Sequence, residues 1–199
     1  MNKPVSELAD RPESWPVSAS RVIHADDWVV GMREDTISRP GHPEESFDRL
    51  VVTHPGAVMI LAVDDDERVC CVRQYRHVVQ RNFVELPAGI CDAEGEDPVE
   101  TAKRELREEA QLRADHWRHL LSLWPTVGMS TEIHHLYLAT GLHPADRGDF
   151  ALEHEEAEME VFWAPMAELL DAVLEGRVQQ GPLAACVFAY DVLKRRGEL

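Results

Sequence analysis

Glu105, Glu108 and Glu109 fall within little more than one turn of a helical segment. At roughly 100° per residue they share one sector of its surface, beside its apolar side but not on it. Like charges one turn apart cost roughly 0.2–0.5 kcal/mol per pair, and Arg104 and Arg107 offset only part of that. Two readings of the crowding are open. Glutamate is a strong helix former, so a solvated acidic face would need no further cause. Oxygen ligands one turn apart can also reach one hard cation or a pair of them, which would place divalent-metal chemistry on this face.

The helix that carries these carboxylates starts after Gly95-Glu96 and runs to about Gln111. Asp97 is its N-cap, Pro98 takes the first helical position, where a missing N–H is harmless, and Glu100 completes a D-x-x-E capping box. Val99, Ala102, Leu106 and Ala110 recur at helical spacing and form the stripe that packs on a sheet. Strands are expected at 21–30 and 47–53, separated by a turn-rich stretch at 38–45, then at 57–63 and 69–75, joined by the acidic loop Asp64-Asp65-Asp66-Glu67. Further strands are expected at 120–124, 133–140 and 159–163. Helices are expected at 166–174, stopped by Gly176, and at 183–194, opened by Gly181-Pro182. Interleaved strands and helices imply an α/β sandwich.

The chain of 199 residues is 44% hydrophobic and 29% charged, enough apolar material for one substantial core. Its formal charge of −17 repels phosphate backbones and anionic lipid heads, which argues against nucleic acid or a membrane as the main partner. A small phosphate ligand would need bridging cations. No apolar run approaches the ~18 residues of a membrane span, and the first residues carry no hydrophobic signal core. Cys70, Cys71, Cys91 and Cys186 form no C-x-x-C pair, which fits a reducing compartment, so the cytoplasm is expected. Residues 1–20 read as a mobile arm, 21–55 as an N-terminal β region and 56–199 as the main domain. The histidines at 116, 119, 134 and 135 lack the spacing of a zinc site. The five tryptophans are expected in core or interface packing.

Residues 85–112 resemble the Nudix box of the Nudix hydrolases, G-x5-E-x7-R-E-U-x-E-E-x-G-U, where U is aliphatic. Gly89, Glu96, Arg104, Glu105, Leu106, Glu108, Glu109 and Leu112 occupy fixed positions of that pattern. Six residues instead of five separate Gly89 from Glu96, and Gln111 stands where the pattern has Gly. Outside the box, Gln74-Tyr75-Arg76, Glu85-Leu86-Pro87-Ala88-Gly89, Val127-Gly128-Met129-Ser130-Thr131-Glu132 and Glu153-His154-Glu155-Glu156-Ala157-Glu158 resemble the ADP-ribose pyrophosphatase branch, with Val127 where that branch usually has proline.

The resemblance implies a Nudix-type α/β/α sandwich with a mixed sheet, preceded by a small antiparallel β region that packs across a homodimer interface. It implies Mg²⁺-dependent hydrolysis of ADP-ribose to AMP and ribose 5-phosphate, with Mn²⁺ as a possible substitute. Carried over residue by residue, the carbonyl of Ala88 and the carboxylates of Glu105 and Glu109 would bind the metal, joined by Glu108. Arg104 would pair with a box carboxylate, Glu96 would brace the loop, and Gly89 would keep the turn uncrowded. Glu155 would accept the proton of the attacking water, with Glu156 as the alternative. Arg76 would contact a phosphate, and Glu85 would reach the adenine side or orient the metal-site loop. Hydrolysis of a GDP- or UDP-sugar and a non-catalytic nucleotide sensor are the alternatives.

Overall fold

In the computed structural model, residues 8–26, 28–148, 150–151 and 157–199 are described. The chain divides into two compact units, 1–53 and 54–199.

The first unit is a three-stranded antiparallel sheet, β1 (Val17–His24), β2 (Gly31–Arg39) and β3 (His42–Thr53), in that order. β1 begins inside the stretch read from sequence as an arm, and residues 25–26 and 28–30 lie outside the strands instead of extending one. The stretch at 38–45 is also mostly strand, because Ser38 pairs with Ser46 and only Pro40-Gly41 turn the chain. Polar cross-strand pairs hold this hairpin, among them Thr36 donating to Asp48 at 2.7 Å and Arg39 gripping Glu45 at 2.7 and 2.8 Å. Apolar alternation, the usual strand signal, is nearly absent there.

The second unit is built on β4 (Ala57–Ala62), a continuous apolar run buried along its whole length. It lies between β7 (Ala88–Ile90), antiparallel to it, and β9 (His134–Pro144), parallel to it, with β8 (Leu112–Leu123) at the far edge. A second sheet has the order β10 (Glu160–Pro165), β5 (Arg68–Arg76), β6 (Arg81–Glu85), and a bridge from Val63 to Val69 links it to the end of β4.

Alternate residues of β4 feed two cores. Ala57, Met59 and Leu61 pack with Leu136, Leu138 and the helices α2 (Met166–Leu174) and α3 (Gly181–Arg195). Val58, Ile60 and Ala62 pack with Tyr137, Ala139 and the Ala102–Leu106 stripe of α1 (Pro98–Ala110). Cys71 joins the first core and Cys70 the second, as adjacent residues on a strand must. Helices therefore cover both faces of a mixed sheet, the sandwich the sequence implies. Burial pushes both thiols up to about 12, with the neighbouring thiol and Glu109 adding to the effect at Cys70. Among the described residues no tryptophan is fully buried, but Trp117 packs against the second core, as expected of a core residue, and meets Tyr137 edge-on at 6.5 Å.

Candidate active site

Local sequence makes α1 where the residues demand it. The Asp97 side chain accepts from the Val99 N–H, Pro98 opens the helix, and Gln111 ends it in the left-handed conformation (φ 54°), a glutamine doing the turn that glycine favours. With the apolar stripe pressed on β4 and β8, the neighbouring sector turns Glu105 and Glu109 over β7 and buries Glu108 beside Arg104. Glu105, Glu108 and Glu109 are 9%, 7% and 5% exposed, far from the solvated face that glutamate content alone would allow.

Each carboxylate is held. Glu109 accepts the backbone N–H of Ala88 at 2.9 Å. Glu105 lies so close over Gly89 that a Cβ there would collide with its carboxyl group, which explains glycine at this position. Arg104 donates to Glu105 at 2.7 Å and to Glu108 at 3.2 Å, and lies 3.7 Å from Asp92. Arg107 approaches Glu108 at 3.7 Å. Burial pulls the Arg104 guanidinium down, but the charges of Glu105 and Glu108 outweigh it and hold the group above its ordinary value. Three carboxylates gathered at this depth around a short strand make a hard-oxygen donor set suited to a divalent cation.

The loop before α1 is braced by Glu96, which accepts from the hydroxyl of the fully buried Thr101 at 2.8 Å. Thr101 has no place in the box pattern, and only its burial in the fold reveals it. Arg76 and Glu85 form a two-point ion pair at 2.9 and 2.6 Å across the β5–β6 hairpin, with Glu85 3% exposed and Arg76 about half exposed. Their spacing of nine residues gave no sign of this partnership, which depends on the hairpin register that sets Val72 opposite Glu85. Val127 is 81% exposed in the β8–β9 loop, which is fastened by Thr131 to the backbone of His54 at 2.9 and 3.2 Å. Glu155 and Glu156 lie outside the described residues.

Histidines distant in sequence also meet. His119 and His135 both contact the Ser122 hydroxyl, at 2.9 and 3.1 Å. Among the described residues, the one trio of potential ligands whose atoms all lie within 4.8 Å of one another is His42, Glu44 and Glu45, at the exposed end of the β2–β3 hairpin, where Arg39 already pairs with Glu45.

A family model described as the NUDIX domain matches residues 53–185. Over 161 residues the chain is 42% identical to the ADP-ribose pyrophosphatase of Mycobacterium tuberculosis (strain ATCC 25618 / H37Rv), covering 81% of this chain and 76% of that protein. It is 34% identical over 163 residues to the CMP-5'-(N-acetyl-N-hydroxy-3-aminopropyl)phosphonate hydrolase of Streptomyces rubellomurinus (strain ATCC 31215), covering 82% and 75%. The crystal structure of an ADP compounds hydrolase superposes with a TM-score of 0.74 over 96% of this chain and 100% of the other, at 18% identity, a likeness of fold.

Proposed function

The chain belongs to the Nudix hydrolase family, and we propose that within it the protein cleaves the pyrophosphate bond of ADP-ribose to give AMP and ribose 5-phosphate, with Mg²⁺ as its metal. The observation that carries this reading is the seat of the box carboxylates over β7, in a chain with 42% identity to an ADP-ribose pyrophosphatase.

Nudix hydrolases work with a divalent metal. Here Glu105, Glu109 and the carbonyl of Ala88 would hold it, with Glu108 beside them; all are oxygen donors, and the buried cluster fits a hard cation. Such an ion, when bound, neutralises pyrophosphate oxygens and makes water a better nucleophile. Arg104 sets the rotamers of Glu105 and Glu108 so that their oxygens are in place before the ion arrives. The Ala88 N–H does the same for one oxygen of Glu109. Arg76, oriented by buried Glu85, contacts a phosphate of the substrate. Glu155 takes the proton as the attacking water forms its bond to phosphorus and the bridging P–O bond breaks.

A panel of nucleoside diphosphate compounds with Mg²⁺, read out by product identity, tests the substrate. ADP-ribose should lead GDP-mannose and UDP-glucose at least about tenfold in kcat/KM, roughly 1.4 kcal/mol of transition-state binding. A reversed order would move the assignment to another nucleoside diphosphate sugar. The exposed Val127 in the β8–β9 loop, where the ADP-ribose pyrophosphatase branch usually has proline, favours that as the second reading.

The exposed Val22, Ile23, Trp28 and Leu50 support the N-terminal β region at 21–55 as a homodimerisation element, which light scattering on the full chain would measure. Four free cysteines support a cytoplasmic setting.

A further inference from the structure

Among the described residues, the buried side-chain nitrogen that meets no hydrogen-bond partner is Nε of Arg147. The same guanidinium donates through Nη2 to the backbone carbonyl of Glu109 at 3.1 Å. Two residues earlier, the Ala145 N–H donates to the carbonyl of Gln111 at 2.8 Å. The start of the β9–β10 connection is thus fastened twice to the end of α1. Arg147 is remote from the box in sequence and belongs to none of the motifs.

A helix leaves its last carbonyls without intrahelical donors. At α1 the Gln111 N–H turns back to the carbonyls of Arg107 and Leu106, and Arg147 reaches that of Glu109. A cation at this end also suits the helix dipole. Capping alone, however, is a task for which lysine or water suffices. It gives no reason to bury an Nε–H whose lost hydration no described residue replaces. The residue that this arginine grips is the one whose carboxylate sits on Ala88.

We propose that Arg147 is a positioning residue for Glu109. By holding the Glu109 carbonyl it fixes where the last turn of α1, and with it the carboxylate, stands against β7. The inference rests on Glu109 being a metal-binding carboxylate, and its test therefore includes a readout independent of substrate.

Wild type, R147M and R147K, each as the full chain, would be melted in EDTA and across a Mg²⁺ titration, and assayed on ADP-ribose over the same titration. For R147M the Mg²⁺ concentration giving the half-maximal melting shift should rise about tenfold, and kcat should fall by about as much. KM should stay within about twofold, because the residue acts through Glu109 and does not touch substrate. R147K should fall between the two, with its midpoint raised about threefold. R147M that melts lower in EDTA yet keeps the wild-type Mg²⁺ midpoint would show a structural cap only and overturn the proposal, as would R147M indistinguishable from wild type. Should R147M not fold, R147K decides: a raised midpoint supports the role, an unchanged one overturns it. Wild type that gains no melting temperature with Mg²⁺ defeats the metal reading and this inference together. Wild type that responds to Mg²⁺ without hydrolysing ADP-ribose defeats only the substrate assignment.

Discussion

In the N-terminal sheet, Glu34 meets Arg21 at 2.9 Å and Glu45 meets Arg39 at 2.7 Å, between side chains that face solvent. In the larger unit, Glu105 meets Arg104 at 2.7 Å and Glu85 meets Arg76 at 2.6 Å, with both carboxylates beneath the surface. Bond lengths do not separate these two sets of pairs; depth does, and Asp35, buried in the N-terminal sheet beside Arg33 and Ser20, shows that the smaller unit also carries one carboxylate below the surface. In water an ion pair gains little, since the solvent already satisfies both partners. Below the surface a carboxylate loses most of its hydration, so every donor around it matters and an arriving cation gains most. Acidic residues that hold a hairpin and acidic residues proposed to hold a metal are the same side chains in different solvents.

Substitutions can break this comparison, beginning with the largest effect. Glu108→Gln and Glu109→Gln should each lower kcat for ADP-ribose by at least about 10²-fold, about 2.7 kcal/mol in the barrier, while Glu45→Gln stays within about twofold. Near-wild-type turnover by both box variants would remove the metal site. Gly89→Ala drives a methyl group into the Glu105 carboxyl and should lower the unfolding free energy by up to about 3 kcal/mol in urea titrations, with Mg²⁺ present or absent. A stability loss too small to measure would mean that Glu105 swings aside freely, and its held geometry would be irrelevant.

Arg76→Ala leaves Glu85 buried without its two-point partner and should destabilise by about 2 kcal/mol, whereas Arg39→Ala should lose less than about 1 kcal/mol. Equal losses would erase the distinction by depth. The smallest effect concerns Glu109→Gln in EDTA. The amide oxygen can still accept the Ala88 N–H and one buried like charge is gone, so the change in stability should be smaller than that of Arg76→Ala. In millimolar Mg²⁺ wild type should gain melting temperature and the variant much less, because only a ligand bound to the folded state stabilises it. Equal shifts would show that Glu109 is not a ligand.

The box helix was legible because its signals are local: a capping aspartate, a proline at the first turn, an apolar stripe and a register of carboxylates all lie within one segment. β8 was not. Its residues Arg113-Ala114-Asp115-His116-Trp117-Arg118 are mostly polar on an edge strand, so only the apolar 120–124 stood out, although the strand runs from Leu112 to Leu123. β7, three residues long, has no periodicity to read, yet its backbone is the floor under Glu105 and Glu109. The Arg76–Glu85 pair, the Thr101–Glu96 bond and the reach of Arg147 to Glu109 depend on which segments become neighbours, which local pattern cannot encode.

The parallel pairing of β4 with β9 bears on the order in which the molecule assembles. Ala57 lies opposite His134, so β5, β6, β7, α1 and β8 are all contained in the loop that this pairing closes. Such a closure is entropically late, and a ribosome delivers α1 well before β9 exists to complete the sheet beneath it. Alone, a helix of 13 residues crowded with like charges is marginal in water. The carboxylates therefore acquire their depth only when nearly the whole domain has closed around them. A cation cannot template this fold from an early fragment, and a nascent or truncated chain ending before β9 should emerge inert toward metal.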